Sequence, residues 1–113
     1  MSIPPDRIQT LLRFLEEDPH DAFTRFALAS EYRKRGDTDR ALTFFEALVR
    51  DDPDYVGTYY HLGKLYQELG RLPDALATYR RGIEVARDQR DLHALSELQA
   101  ALLEAEMEAD DDA

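Results

Sequence analysis

Apolar residues recur at spacings of three and four along nearly the whole chain, the period of a helix that buries one stripe of its surface. The pattern stops at Asp18-Pro19, Gly36-Asp37, Asp51-Asp52-Pro53, Gly70-Arg71 and between Arg87 and Asp91, where turn-forming or polar residues gather. The segments left between these breaks predict helices over residues 5–17, 21–34, 38–50, 55–69, 73–86 and 92–107. No stretch alternates with the two-residue period of a strand, so the predicted class is all-α. Gly36 and Gly70 each follow one helix and precede the next, where a glycine takes the left-handed conformation that ends a helix. Asp37 and Thr38 then offer an N-cap, and Pro73 suits a first helical turn. Turns this short make sequential helices antiparallel neighbours.

The chain also matches itself after a shift of thirty-four residues. Pro19 falls on Pro53, Phe26 on Tyr60, Leu28 on Leu62, Tyr32 on Tyr66, Gly36 on Gly70, Ala41 on Ala75, Leu42 on Leu76 and Phe45 on Tyr79. These are packing and turn residues spread over a whole unit, the mark of a repeat protein of helix pairs. The register reaches back to Ile8, Leu11, Phe14 and Leu15, so the first helix reads as the second half of a repeat. At the other end Leu92, Leu95, Leu98, Leu102 and Leu103 give a last helix one apolar stripe, with Glu97, Glu104, Glu106 and Glu108 as a solvated outer face. The expected architecture is an α-solenoid, a right-handed superhelical stack of antiparallel helix pairs. Residues 1–108 form one domain, with repeats at 20–53 and 54–87, an N-terminal half-repeat helix at 5–17 and a capping helix at 92–107. Residues 109–113, acidic and with nothing to bury, are expected to be a disordered tail.

The second unit, with Tyr59, Leu62-Gly63, Tyr66, Ala75 and Tyr79 after Pro53, resembles the tetratricopeptide repeat. The first carries Arg25, Leu28-Ala29, Tyr32, Ala41 and Phe45 before Pro53, departing from the family pattern at Arg25 and, with Leu48, at a small-residue position. Ala29, Gly63, Ala41 and Ala75 let helix backbones approach, while the larger residues fill the space between them. The resemblance implies a scaffold that binds an extended peptide or helix on its inner-helix face, without catalysis. Relatives that clamp chaperone tails carry a Lys, then an Asn four residues on, and a further Asn; here Phe26, Ser30 and His61 stand in those places, which disfavours that subtype.

Composition narrows the partner. At 113 residues the chain holds one domain, and it has no cysteine for disulfides or thiolate metal sites. The net charge of −10 disfavours nucleic acid and anionic membranes. No leader or membrane-length apolar run is visible, so a cytoplasmic location is the default expectation. Asp outnumbers Glu fourteen to ten, and only Lys34 and Lys64 among the fourteen basic residues are lysines. That bias fits adaptation to concentrated salt, and a GC-rich genome produces part of the same bias.

His20, His61 and His93 lie far apart with no nucleophile motif beside them, and the acidic clusters lack the spacing of a calcium loop. No catalytic residue, metal site or cofactor is expected. Asp51, Asp52 and Asp54 read as a turn with capping. The inner-helix stripe is the candidate site: Phe23, Phe26, Ser30 and Arg33 advance by three or four residues, and Gly57, Tyr60, Lys64 and Gln67 are their counterparts one repeat later. Aromatic platforms beside cations suit a protein or peptide with an acidic group. Against this stands packing of Phe23 and Phe26 on the first helix, with Arg33 and Lys64 in ion pairs. A monomer is favoured over a homodimer; self-association through the last helix, hinted at by Leu92 and Leu103 off its main stripe, is the structural alternative.

Overall fold

The computed structural model describes residues 6–112, in which the chain forms α1 (Arg7–Glu17), α2 (Ala22–Lys34), α3 (Thr38–Asp51), α4 (Gly57–Glu68), α5 (Leu72–Gln89) and α6 (Leu92–Asp112). The expected start of the first helix at residue 5 lies outside the described residues. The helices gather into two compact units, Met1–Asp52 and Pro53–Ala113.

In the first unit α2 packs on both α1 and α3. Leu11, Ala27 and Leu28 are buried together, with Ile8, Leu15, Tyr32 and Phe44 packed against them. Tyr32 stacks on Phe44 at 5.9 Å between ring centroids. Ion pairs reinforce the α1–α2 contact: Arg7 meets Glu31 at 2.9 Å, and Arg35 donates to Asp6 at 2.6 Å. Asp21 caps α2, its carboxylate accepting the Thr24 N–H at 2.9 Å and the Thr24 hydroxyl at 2.6 Å. Asp37 caps α3 in the same way, accepting from the Arg40 N–H at 3.3 Å.

In the second unit α5 packs on α4 and α6, and α6 also lies against α4. Two glycines permit the close approach. A Cβ on Gly63 would stand 2.6 Å from Tyr79 Cδ1, and one on Gly82 would stand 2.5 Å from Tyr59 Cβ and 3.1 Å from Leu98 Cδ1. The Tyr79 ring therefore lies against the α4 backbone, and the Tyr59 and Leu98 side chains against the α5 backbone, at a distance that only glycine tolerates.

Three helices end in one shared way. The N–H of Asp37 donates to Tyr32 O at 2.9 Å, that of Arg71 to Tyr66 O at 2.8 Å and that of Asp91 to Ala86 O at 2.9 Å, each the closing bond of a Schellman turn. The residue before each donor has positive φ: Gly36 at 80°, Gly70 at 73° and Arg90 at 57°. The last corrects the expected break from residue 87. Position 87 is Arg where the earlier repeat has Pro53, so nothing stops α5, and it continues to Gln89. The last helix also differs from expectation: α6 does not end at residue 107 but runs on to Asp112, carried by the helix-forming Glu and Ala of Glu106 to Ala109, and the last residue of the expected 109–113 tail lies outside the described residues. Likewise α4 starts at Gly57, two residues after the position expected.

Candidate functional site

The stripe on α2 divides between packing and exposure. Phe23 is 63% exposed and does not lie buried against α1. Phe26 is half-buried, its ring meeting Phe45 of α3 edge-on at 6.1 Å. Ser30 and Arg33, four and seven residues further along the same face, are also half-buried.

The stripe on α4 is shared with α6. Tyr60 is half-buried, with the Lys64 ammonium 5.6 Å from its ring centroid and the His61 ring edge-on at 5.4 Å. Lys64 also pairs with Glu104 at 3.4 Å. Gln67 donates to Glu108 at 3.0 Å while its Oε1 accepts the Tyr79 hydroxyl. Glu104 and Glu108 thus do more than solvate an outer face, because they satisfy the polar groups of the α4 stripe. A cleft of about 130 Å³ remains where Val56, Gly57, Tyr60 and His61 face Ala94, Glu97 and Leu98.

Arg25 was the departure from the family pattern, and its role is structural. It is 7% exposed, and its guanidinium pairs with Asp51 at 2.8 Å and Asp52 at 3.5 Å. In the next repeat the matching Tyr59 sends its hydroxyl to the carbonyl of Pro53. The polar tip of a buried side chain finds an acceptor at both positions, an acid for Arg and a carbonyl for Tyr. Asp51 and Asp52 therefore anchor a buried cation, a function beyond the turn read from sequence. Arg50 and then Arg25 hold the Asp51 carboxyl below its ordinary range. The signal was present: a buried packing position occupied by Arg calls for an acid within reach.

Among the described residues no group of His, Cys, Asp and Glu has the arrangement to hold a metal ion, and no helix is long and apolar enough to cross a membrane. A family model described as tetratricopeptide repeat matches residues 32–102. The chain belongs to the tetratricopeptide repeat family. A tetratricopeptide repeat domain protein of Salinibacter ruber, solved as a crystal structure, is 60% identical and superposes with a TM-score of 0.75, covering 77% of this chain and 97% of that one. A TPR repeat-containing protein of Pseudomonas aeruginosa is 31% identical over 80% of this chain and 87% of its own. The solution structure of a Bordetella parapertussis protein, at 26% identity, covers 92% of this chain and 90% of that one with a TM-score of 0.78. Tetratricopeptide repeat proteins are in general protein-interaction scaffolds without catalysis, and the six-helix, strand-free architecture of the described residues agrees with that family.

Proposed function

We propose that this tetratricopeptide repeat protein is a non-enzymatic binding module for an extended peptide or helix carrying an acidic group, held by its inner-helix residues. The observation that carries the reading is Phe23, a large aromatic left 63% exposed at the start of the α2 stripe. A partner burying that ring would add apolar contact of the kind that dominates interface energetics. Phe26, Ser30 and Arg33 continue that face. Tyr60, Lys64 and Gln67 supply the equivalent groups on α4, where their existing partners Glu104 and Glu108 are carboxylates. An incoming acidic group would use the same chemistry as those side chains, exchanging one carboxylate for another.

The reading is tested with a displayed library of short peptides, each carboxylate-bearing sequence paired with its amide counterpart. Binding should select an apolar residue near an acidic one. Phe23→Ala should cost about 1–3 kcal/mol of affinity with the helical signal and melting temperature unchanged. Selected peptides that bind Phe23→Ala as tightly as the original chain, or that bind equally well as amides, would remove the proposal.

A further inference from the structure

α6 has two engaged sides and one that is exposed among the described residues. Leu98, Ala101 and Ala105 are buried, and Glu104 and Glu108 turn towards α4. Leu92, Ser96, Gln99, Leu103 and Met107 follow one another by three or four residues and so share another face. Leu92 is 76% exposed, Leu103 62% and Met107 61%. Beside this face α5 and α6 enclose a cleft of about 360 Å³ lined by Arg80, Ile83, Glu84, Arg87, Gln99 and Leu102. The guanidinium groups of Arg80 and Arg87 are exposed and make no ion pair with any described residue, in a chain whose acids outnumber its bases by 24 to 14. An apolar strip bordered by two solvent-exposed cations fits an acidic amphipathic helix.

We propose that the helix seated there is α6 of a second copy, so that the protein is a two-fold homodimer through the α5–α6 face. The face is self-complementary, as a two-fold interface requires. It offers exposed leucines and arginines on one side and, in Glu106, Asp110 and Asp111, the acids to meet them. Orientation follows from charge. α5 turns into α6 at Arg90-Asp91, so Arg87 stands beside the start of α6, while the acids stand at its end. Antiparallel pairing sets the acidic end of each α6 against the Arg87 end of its mate, with Gln99 and Leu103 near the axis. Parallel pairing brings the two acidic ends together and is repelled. The inference rests on α5 and α6 alone and is independent of the peptide-binding reading.

Sedimentation velocity and light scattering over a range of concentrations test it on the full chain. A dimer mass should appear as concentration rises. Leu103→Glu, at an exposed position, should leave a monomer with unchanged circular dichroism and melting temperature. Arg87→Glu and Glu106→Arg should each weaken dimerisation several-fold, and the two together should restore it, because every copy then presents the reversed pair. A monomer mass at every concentration overturns the proposal and leaves the face to a different protein. A dimer indifferent to Leu103→Glu overturns it equally, since the seam then lies elsewhere.

Discussion

Replacing Gly63 by alanine sets two known effects against each other, and the structure decides which wins. Helix propensity alone favours the change, because alanine inside a helix is worth about 1 kcal/mol over glycine. The surroundings oppose it. The new Cβ would lie 2.6 Å from Cδ1 and 2.7 Å from Cζ of Tyr79, well inside the ~3.5 Å of an optimal carbon–carbon contact. Tyr79 is fully buried, and its hydroxyl donates to Gln67, so the ring has no empty volume to swing into without giving up that bond. Overpacking of a closed core costs roughly 1–3 kcal/mol, and a rigid ring as the obstacle puts this site at the upper end. Subtracting the propensity gain leaves a net loss of about 2 kcal/mol. At roughly 4–8 °C per kcal/mol for a chain near this size, the melting temperature should fall by about 8–16 °C.

Thermal and urea unfolding followed by circular dichroism measure that loss. Combining Gly63→Ala with Tyr79→Leu isolates the cause: removing the ring removes the collision, so the pair should lose less stability than the sum of the single changes. A Gly63→Ala chain that is more stable by the propensity gain, or a pair that simply adds, would show that the two helices have room to separate and that the close approach is not required.

Two further outcomes follow from the turns and caps. Arg90→Gly should raise stability by about 1 kcal/mol, because Arg90 holds a left-handed φ of 57° that glycine adopts without a Cβ penalty; an unchanged or lower midpoint in thermal unfolding would refute this. Hydrogen bonds from Arg35, from Thr24 and from Arg40 hold the carboxyls of Asp6, Asp21 and Asp37, respectively, below their ordinary value of 3.8. A carboxyl depressed in the folded state contributes stability that is present above the unfolded value and lost as pH falls through the folded one, so urea midpoints should drop below pH 3.8. The Asp21→Asn, Asp37→Asn double variant should flatten that drop, and a slope identical to the parent's would place the acid sensitivity in other groups.

What could be read from the sequence was whatever a residue decides with its own turn or its own helix face. Gly36 and Gly70 announced their turns because left-handed backbone selects glycine, and Asp37 announced its cap because the bond it makes is three residues away. The turn at Arg90 makes the same Schellman bond with none of the chemistry that advertises it, and the end of α5 was misplaced for that reason. Periodicity finds faces but cannot say what covers them. Glu104 and Glu108 have the composition of a solvated surface, yet they meet Lys64 and Gln67, forty and forty-one residues earlier in the chain. The same blindness touches the candidate site. Phe23 and Tyr60 carry one kind of pattern in sequence, but the structure leaves the first ring in solvent and sets the second beside a cleft with α6. Repetition in sequence thus guarantees repeated packing where both partners repeat, as with Leu28 and Leu62. It guarantees nothing where the neighbour is α6, whose Leu98, Ala101 and Ala105 core has no counterpart thirty-four residues earlier, at Lys64, Gln67 and Arg71. A break in the repeat serves structure where its residue is buried, as at Arg25, and is a candidate for function where its residue is exposed, as with the ring on α2 and the leucines of α6.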